Sequence, residues 1–175
     1  MPASDPPTAF ISLGSNLGDR AGNLLLAARG MIEAGFEVER LSRIYETEPV
    51  ETFAQPAFLN LVAAVRCSKF SNAEDVMRTL LDVEASLGRT RDTSSDKLKV
   101  PRVIDLDLLT IGNQISNTAL LQLPHPRFHQ RRFVLVPFAE LAPQLVHPTL
   151  NKTIAELLAE LDDNSEVNLW NPSAF

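Results

Sequence analysis

Cysteine is nearly absent from this 175-residue chain, where Cys67 stands alone. One cysteine excludes an intrachain disulfide framework and any metal site built from several thiolates. Long apolar runs are missing too, and no stretch approaches the roughly 18 residues of a membrane span. The opening MPASDPPT has neither the basic segment nor the apolar core of a secretion signal. Nor is there a surplus of basic residues. Sixteen Lys and Arg stand against 22 Asp and Glu, a net charge of −6, which argues against a general binder of nucleic acid or anionic membrane. The expectation is a cytoplasmic, soluble, single-domain protein, by default a monomer, long enough to bury a core without staples.

The positive charge that is present is unevenly placed. Eight of the 16 Lys and Arg fall between positions 89 and 132: Arg89, Arg91, Lys97, Lys99, Arg102, Arg127, Arg131 and Arg132. All three histidines, His125, His129 and His147, lie in the later part of the chain. A concentrated basic stretch in an acidic protein suits a small anion; a solvated arginine-rich loop is the alternative.

Periodicity supplies the elements. Residues 1–7 read as disordered. Ala9–Leu13 reads as a buried strand, Ala21–Ala34 as a helix with Leu24, Ala27, Ala28, Met31 and Ile32 on its buried face, and Gly35 as its stop. Phe36–Thr47 is expected as one strand, Glu48–Pro56 as a loop, and Phe58–Cys67 as a strand. Ser71 and Glu74 form a capping box opening a helix that runs toward Gly88. Val103–Ile111 is a further strand, and Leu120–Leu123 a short one. Phe133–Leu141 and the segment opened by Thr153 and Glu156 are helical. Residues 8–161 then form one domain, with 162–175 a loose tail. The order βαββαβ predicts an α+β, two-layer, ferredoxin-like sandwich with a mostly antiparallel sheet and added C-terminal helices.

Asp105 and Asp107 interrupt an apolar strand and, at i and i+2, share one face. Two carboxylates placed so repel one another unless a cation lies between them, and hard oxygen donors suit Mg²⁺. A water-exposed sheet face is the alternative. Arg89, Arg91, Arg102 and Arg131 flank the pair, and guanidinium groups grip phosphate oxygens; His125 can add a donor. Together they describe a Mg²⁺–polyphosphate site. Gly14-Ser15-Asn16-Leu17-Gly18 lacks the Gly-Lys-Ser/Thr ending of a P-loop. Phe58 and Asn60 share a strand face, and with Phe133 they offer an amide and two rings to a flat heterocycle; core packing is the alternative.

Seven segments in order carry a resemblance: FISLGSNLGDR (10–20), SRIYETEPV (42–50), QPAFLN (55–60), EASLGR (84–89), PRVIDLDLL (101–109), PHPRFHQRRFVLVPFAELAP (124–143) and VHP (146–148). They resemble 6-hydroxymethyl-7,8-dihydropterin pyrophosphokinase of folate biosynthesis over about residues 9–160. The resemblance implies diphosphate transfer from ATP to the pterin hydroxymethyl group, with release of AMP. It implies Asp105 and Asp107 as ligands of two Mg²⁺ ions, and Arg89 and Arg91 as catalytic beside them. Glu84, Arg89, Arg91, Arg102, His125 and Arg131 would meet ATP; Thr47, Pro49, Val50, Phe58, Asn60 and Phe133 would line the pterin pocket. Small molecules, not nucleic acid or membrane, are the implied partners. The pattern departs at Lys99-Val100, where Trp-Gly is often found, and at Leu120, where some members have a basic residue. A Mg²⁺-dependent phosphohydrolase and a silent nucleotide-binding module remain as alternatives.

Overall fold

The architecture follows from where the apolar residues fall. In the computed structural model, which describes residues 6–48, 56–88 and 103–172, the elements run in this order. They are β1 (Thr8–Ser15), α1 (Arg20–Glu33), β2 (Glu37–Leu41), β3 (Tyr45–Thr47), β4 (Phe58–Arg66), α2 (Ala73–Ser86), β5 (Asp105–Ile111), β6 (Ser116–Asn117), β7 (Gln122–Leu123), α3 (Arg132–Leu141), α4 (Ile154–Glu160) and β8 (Val167–Leu169). The main sheet runs β5-β1-β4-β3-β8, with β2 also paired to β4, and every pairing is antiparallel. The βαββαβ unit is ferredoxin-like.

β1 and β4 are buried along nearly their whole length because they lie mid-sheet with helices over both faces. Alternate residues divide between two cores. Ile11, Leu13, Leu61, Leu106 and Leu108 pack under Leu24, Met31, Leu80 and Val83 of α1 and α2. Phe10, Val62, Ala64 and Leu109 point the other way and pack under Val134, Leu135 and Phe138 of α3. Burying each large side chain contributes about 1.5–3 kcal/mol, so Leu13 or Phe138 cut to alanine would open a costly cavity. The α3–α4 cover reaches only part of the second face. The uncovered end, toward the C-terminal ends of β1 and the starts of β4 and β5, is where the site lies.

Several expectations change in detail. The single strand expected over Phe36–Thr47 divides into β2 and β3, which meet β4 separately, with the register of β2 shifting between Val38 and Arg40. The cap of α2 is Asn72, whose side chain accepts from the Asp75 amide at 2.9 Å, one residue beyond the expected Ser71. The Thr153–Glu156 capping box is present in full. Ile32, expected on the buried face of α1, is 57% exposed, outside the buried stripe of Leu24, Ala27, Ala28 and Met31. The segment expected as a loose tail is a correction: β8 pairs with β3, and the Trp170 amide donates to the Ile44 carbonyl at 2.9 Å. Residues 1–5 of the expected disordered start lie outside the described residues. No helix among the described residues is long and apolar enough to cross a membrane.

Candidate active site

Three strands bring the site residues into one row. Gly14 of β1 pairs with Asp105 of β5 on one side and Asn60 of β4 on the other. Asn60 in turn pairs with Tyr45, and Phe58 with Thr47, on β3. One step along, Ser12 pairs with Asp107. By strand alternation the side chains of Asp105, Asp107, Phe58 and Asn60 leave the sheet on the face opposite α1 and α2.

β5 is the edge strand on this side of the sheet, so alternate backbone groups along it have no neighbouring strand. Other elements supply the partners. Glu84, at 1% exposure the most buried acid of α2, accepts the Leu106 amide at 2.7 Å. Farther along, the His125 amide donates to the Leu109 carbonyl at 2.8 Å. One anchor holds the backbone between the two aspartates and the other holds it two residues beyond Asp107, which fixes the backbone carrying Asp105 and Asp107.

Both aspartates are half-buried. An Arg131 Nη1 lies 3.6 Å from an Asp107 carboxylate oxygen, and the same guanidinium sits 5.7 Å from the centre of the Phe133 ring. His125 is held well below the ordinary imidazole range, pushed down to about 4, first by burial and then by Arg131 and Arg127, with Asp105 opposing. Its Nδ1 accepts the Arg127 amide at 3.2 Å, so the neutral ring carries its proton on Nε2. Among the described residues no three His, Cys, Asp or Glu side chains gather as a metal cluster. Two carboxylates with room for water or phosphate oxygens beside them would suit Mg²⁺.

At the other end of the row the Asn60 amide is buried, and its Nδ2 donates to Thr47 Oγ1 at 2.8 Å. That bond fixes which way the amide points and leaves its oxygen beside Gly14. Phe58, half-buried, borders the same space. Pro49, Val50, Arg89, Arg91 and Arg102, and the Lys99-Val100 departure, lie outside the described residues.

Two features are missed by the sequence reading. A cavity of about 520 Å³ opens on the outer side of β5, lined by Asp107, Leu108, Thr118, Leu121, Gln122 and His125 among others. Its wall is the β6–β7 ribbon; β7 falls within the short strand expected over Leu120–Leu123, while the two residues of β6 carry no periodic signal. Leu120, one of the departures, lines it as well. The second is Arg20, which donates to the Ala57 carbonyl at 2.8 Å and pairs with Glu46 at 2.7 Å. It ties the N-terminus of α1 to the end of β3 and the approach to β4. The turn before it is set by Gly18 at φ +64° and by Asp19, which caps α1 by accepting the Gly22 amide at 2.9 Å.

Comparison with known proteins gives the chain's relatives. Residues 10–143 match the family model described as 7,8-dihydro-6-hydroxymethylpterin-pyrophosphokinase. The chain is similar to the 2-amino-4-hydroxy-6-hydroxymethyldihydropteridine pyrophosphokinase of Methylorubrum extorquens, 40% identical over 156 residues, covering 88% of this chain and 93% of that one. It is also similar to the folic acid synthesis protein fol1 of Pneumocystis carinii, 38% identical over 160 residues, but spans 91% of itself and only 21% of that longer protein. Among solved structures, wild-type HPPK-DHPS of Plasmodium falciparum has the same fold, with a TM-score of 0.68 at 14% identity, over 91% of this chain and 45% of that one.

Proposed function

The chain belongs to the 7,8-dihydro-6-hydroxymethylpterin-pyrophosphokinase family, and on that footing we propose that it transfers the terminal diphosphate of ATP to the hydroxymethyl group of 6-hydroxymethyl-7,8-dihydropterin, releasing AMP. The observation that carries this reading is the row Asp105–Gly14–Asn60. It sets a carboxylate pair suited to metal and phosphate one bare strand away from an oriented amide suited to the edge of a heterocycle.

Asp105 and Asp107 would hold Mg²⁺, two ions in this proposal, as the half-buried donor set and its neighbouring guanidinium fit. When bound, the metal neutralises the polyphosphate and lowers the pKa of the attacking hydroxyl. The protein does the rest by placement. Arg131 stands where it can pass from Asp107 to a phosphate oxygen, and Arg89, Arg91 and Arg102 are proposed for the remaining oxygens. His125 donates from Nε2 as a neutral group, which binds phosphate without competing with the metal for charge. Glu84 acts through β5, holding the backbone between the two aspartates. The cavity beside Asp107 and His125 has the size for the nucleoside, within the range of ordinary ligand pockets.

Asn60 and Thr47 read the ring edge of the pterin, Phe58 and Phe133 cover its faces, and Pro49 and Val50 complete the pocket. The hydroxymethyl oxygen then attacks the β-phosphorus in line and gives its proton up to solvent, the bond from that phosphorus to the α–β bridging oxygen breaks, and AMP departs with the bridging oxygen. No covalent enzyme intermediate is needed, and Cys67 takes no part. The test is calorimetric titration with Mg²⁺, a non-hydrolysable ATP analogue and the pterin. Formation of a ternary complex, with pterin binding tightened by the nucleotide, supports the proposal; nucleotide binding with no affinity for pterin contradicts it.

A further inference from the structure

We infer that Arg20 is a positioning residue for the acceptor pocket, holding together from the opposite face of the sheet the two strand ends that present Thr47, Phe58 and Asn60. The inference rests on the proposed function. It gives a task to the FISLGSNLGDR segment, whose turn is not a phosphate loop.

Thr47 and Phe58 form the last pair of β3 and β4 before the chain leaves the sheet between them. An end pair has ladder neighbours on one side only, and strand ends are where pairing opens first. Arg20 closes that open side. Its Nη1 donates to the carbonyl of Ala57, the residue before Phe58, at 2.8 Å, and its Nη2 lies 2.7 Å from Oε2 of Glu46, the residue before Thr47. By alternation Glu46 leaves β3 on the face of α1, while Thr47 points the other way, its Oγ1 accepting from Asn60 Nδ2 at 2.8 Å. Brace and pocket therefore lie on opposite faces of one strand pair, and Arg20 acts on the acceptor without touching it.

The turn is built to mount this side chain. Asn23 Nδ2 donates to the Leu17 carbonyl at 2.8 Å and to Ser15 Oγ at 3.2 Å, which fastens the start of α1 to the end of β1. A guanidinium suits the task because its rigid fork meets two acceptors on two strands, where an ammonium is a single point. Stability does not account for the arrangement. The Arg20 and Glu46 side chains are 25% and 41% exposed, and ion pairs open to water add little to it. Placement does, since a shift of about 1 Å is costly where fixed groups must meet a rigid substrate.

The test compares Arg20→Ala, Glu46→Ala and the double variant, each read as separate affinities beside its melting temperature. All three should melt close to the wild type and bind Mg²⁺ and the ATP analogue as it does. The Kd and KM for 6-hydroxymethyl-7,8-dihydropterin should rise about five- to tenfold in Arg20→Ala, less in Glu46→Ala, which keeps the bond to Ala57, and no further in the double variant. Unchanged pterin affinity in Arg20→Ala, or losses that add in the double variant, overturns the inference. So does a loss of pterin and nucleotide affinity together, in step with the melting temperature, which is what a merely structural residue gives. If Arg20→Ala does not fold, Glu46→Gln decides: it keeps an acceptor for Nη2 and should restore the pterin affinity lost in Glu46→Ala, and equal affinities in those two variants overturn the inference. A wild type that binds no pterin overturns the proposed function itself, so the two failures are distinguishable.

Discussion

Glu84 accepts the backbone N–H of Leu106 at 2.7 Å, and Leu106 is the residue between Asp105 and Asp107. A helix carboxylate thus substitutes for the strand that β5 lacks at its outer edge. Removing it leaves a buried amide without its acceptor, a loss of about 1–3 kcal/mol. Glu84→Ala should lower the denaturant midpoint accordingly and raise the Mg²⁺ concentration giving half-maximal rate. Glu84→Gln, which keeps an acceptor oxygen, should recover much of both. A stability loss in Glu84→Ala with unchanged Mg²⁺ dependence would reduce Glu84 to a purely structural residue.

Asp107→Asn should lower diphosphate transfer by on the order of 10²–10³-fold or more, because the variant removes a charge that acts on the reacting phosphates. The fold should survive, since Asp107 is half-buried and contributes no core packing. Circular dichroism and thermal melting without metal check the fold. Turnover near that of the wild type would remove the metal role.

His125 should be neutral in the ligand-free protein at pH 7. Its pKa is pushed down to about 4 in the folded state, against about 6.5 unfolded. On acidification the unfolded chain takes up this proton first, so the stability associated with His125 is complete above about pH 6.5 and is lost as pH falls toward 4. His125→Gln should flatten the fall in denaturant midpoint across that window. In NMR titration the wild-type ring should stay on the Nε2–H tautomer to below pH 5; titration near 6.5 would contradict the reading.

β8 makes the C-terminal segment part of the sheet, and Trp170, the one tryptophan of the chain, packs on the first core. Truncation after Asp163 should lower the melting temperature and remove the fluorescence change on unfolding. A truncated protein as stable as the full chain would show that β8 adds nothing.

The sequence makes some of these features legible and hides others for physical reasons. Asp105 and Asp107 stand out because charge interrupts an apolar strand, and α1, α2 and β4 because their apolar spacing is imposed by a core on a known side. β8 is hidden: three residues pairing with an edge strand need no apolar face, and two of the three are exposed. The cavity wall is legible only in part: the strand expected over Leu120–Leu123 contains β7, but its pairing with the two-residue β6 leaves no signal. Glu84 is readable as an acid near the arginines, but its bond to Leu106 depends on β5 being an edge, which is a property of the strand order. Gly14 reads as part of a turn motif; its place between Asn60 and Asp105 exists only in the register.

The most direct test follows the diphosphate itself. ATP carrying ¹⁸O at its α–β bridge is incubated with the protein, Mg²⁺ and 6-hydroxymethyl-7,8-dihydropterin, and the products are read by ³¹P NMR. Attack at the β-phosphorus predicts AMP that retains the label, formed one-to-one with a pterin diphosphate ester and only when pterin is present. ADP, or phosphate released without pterin, would contradict the account.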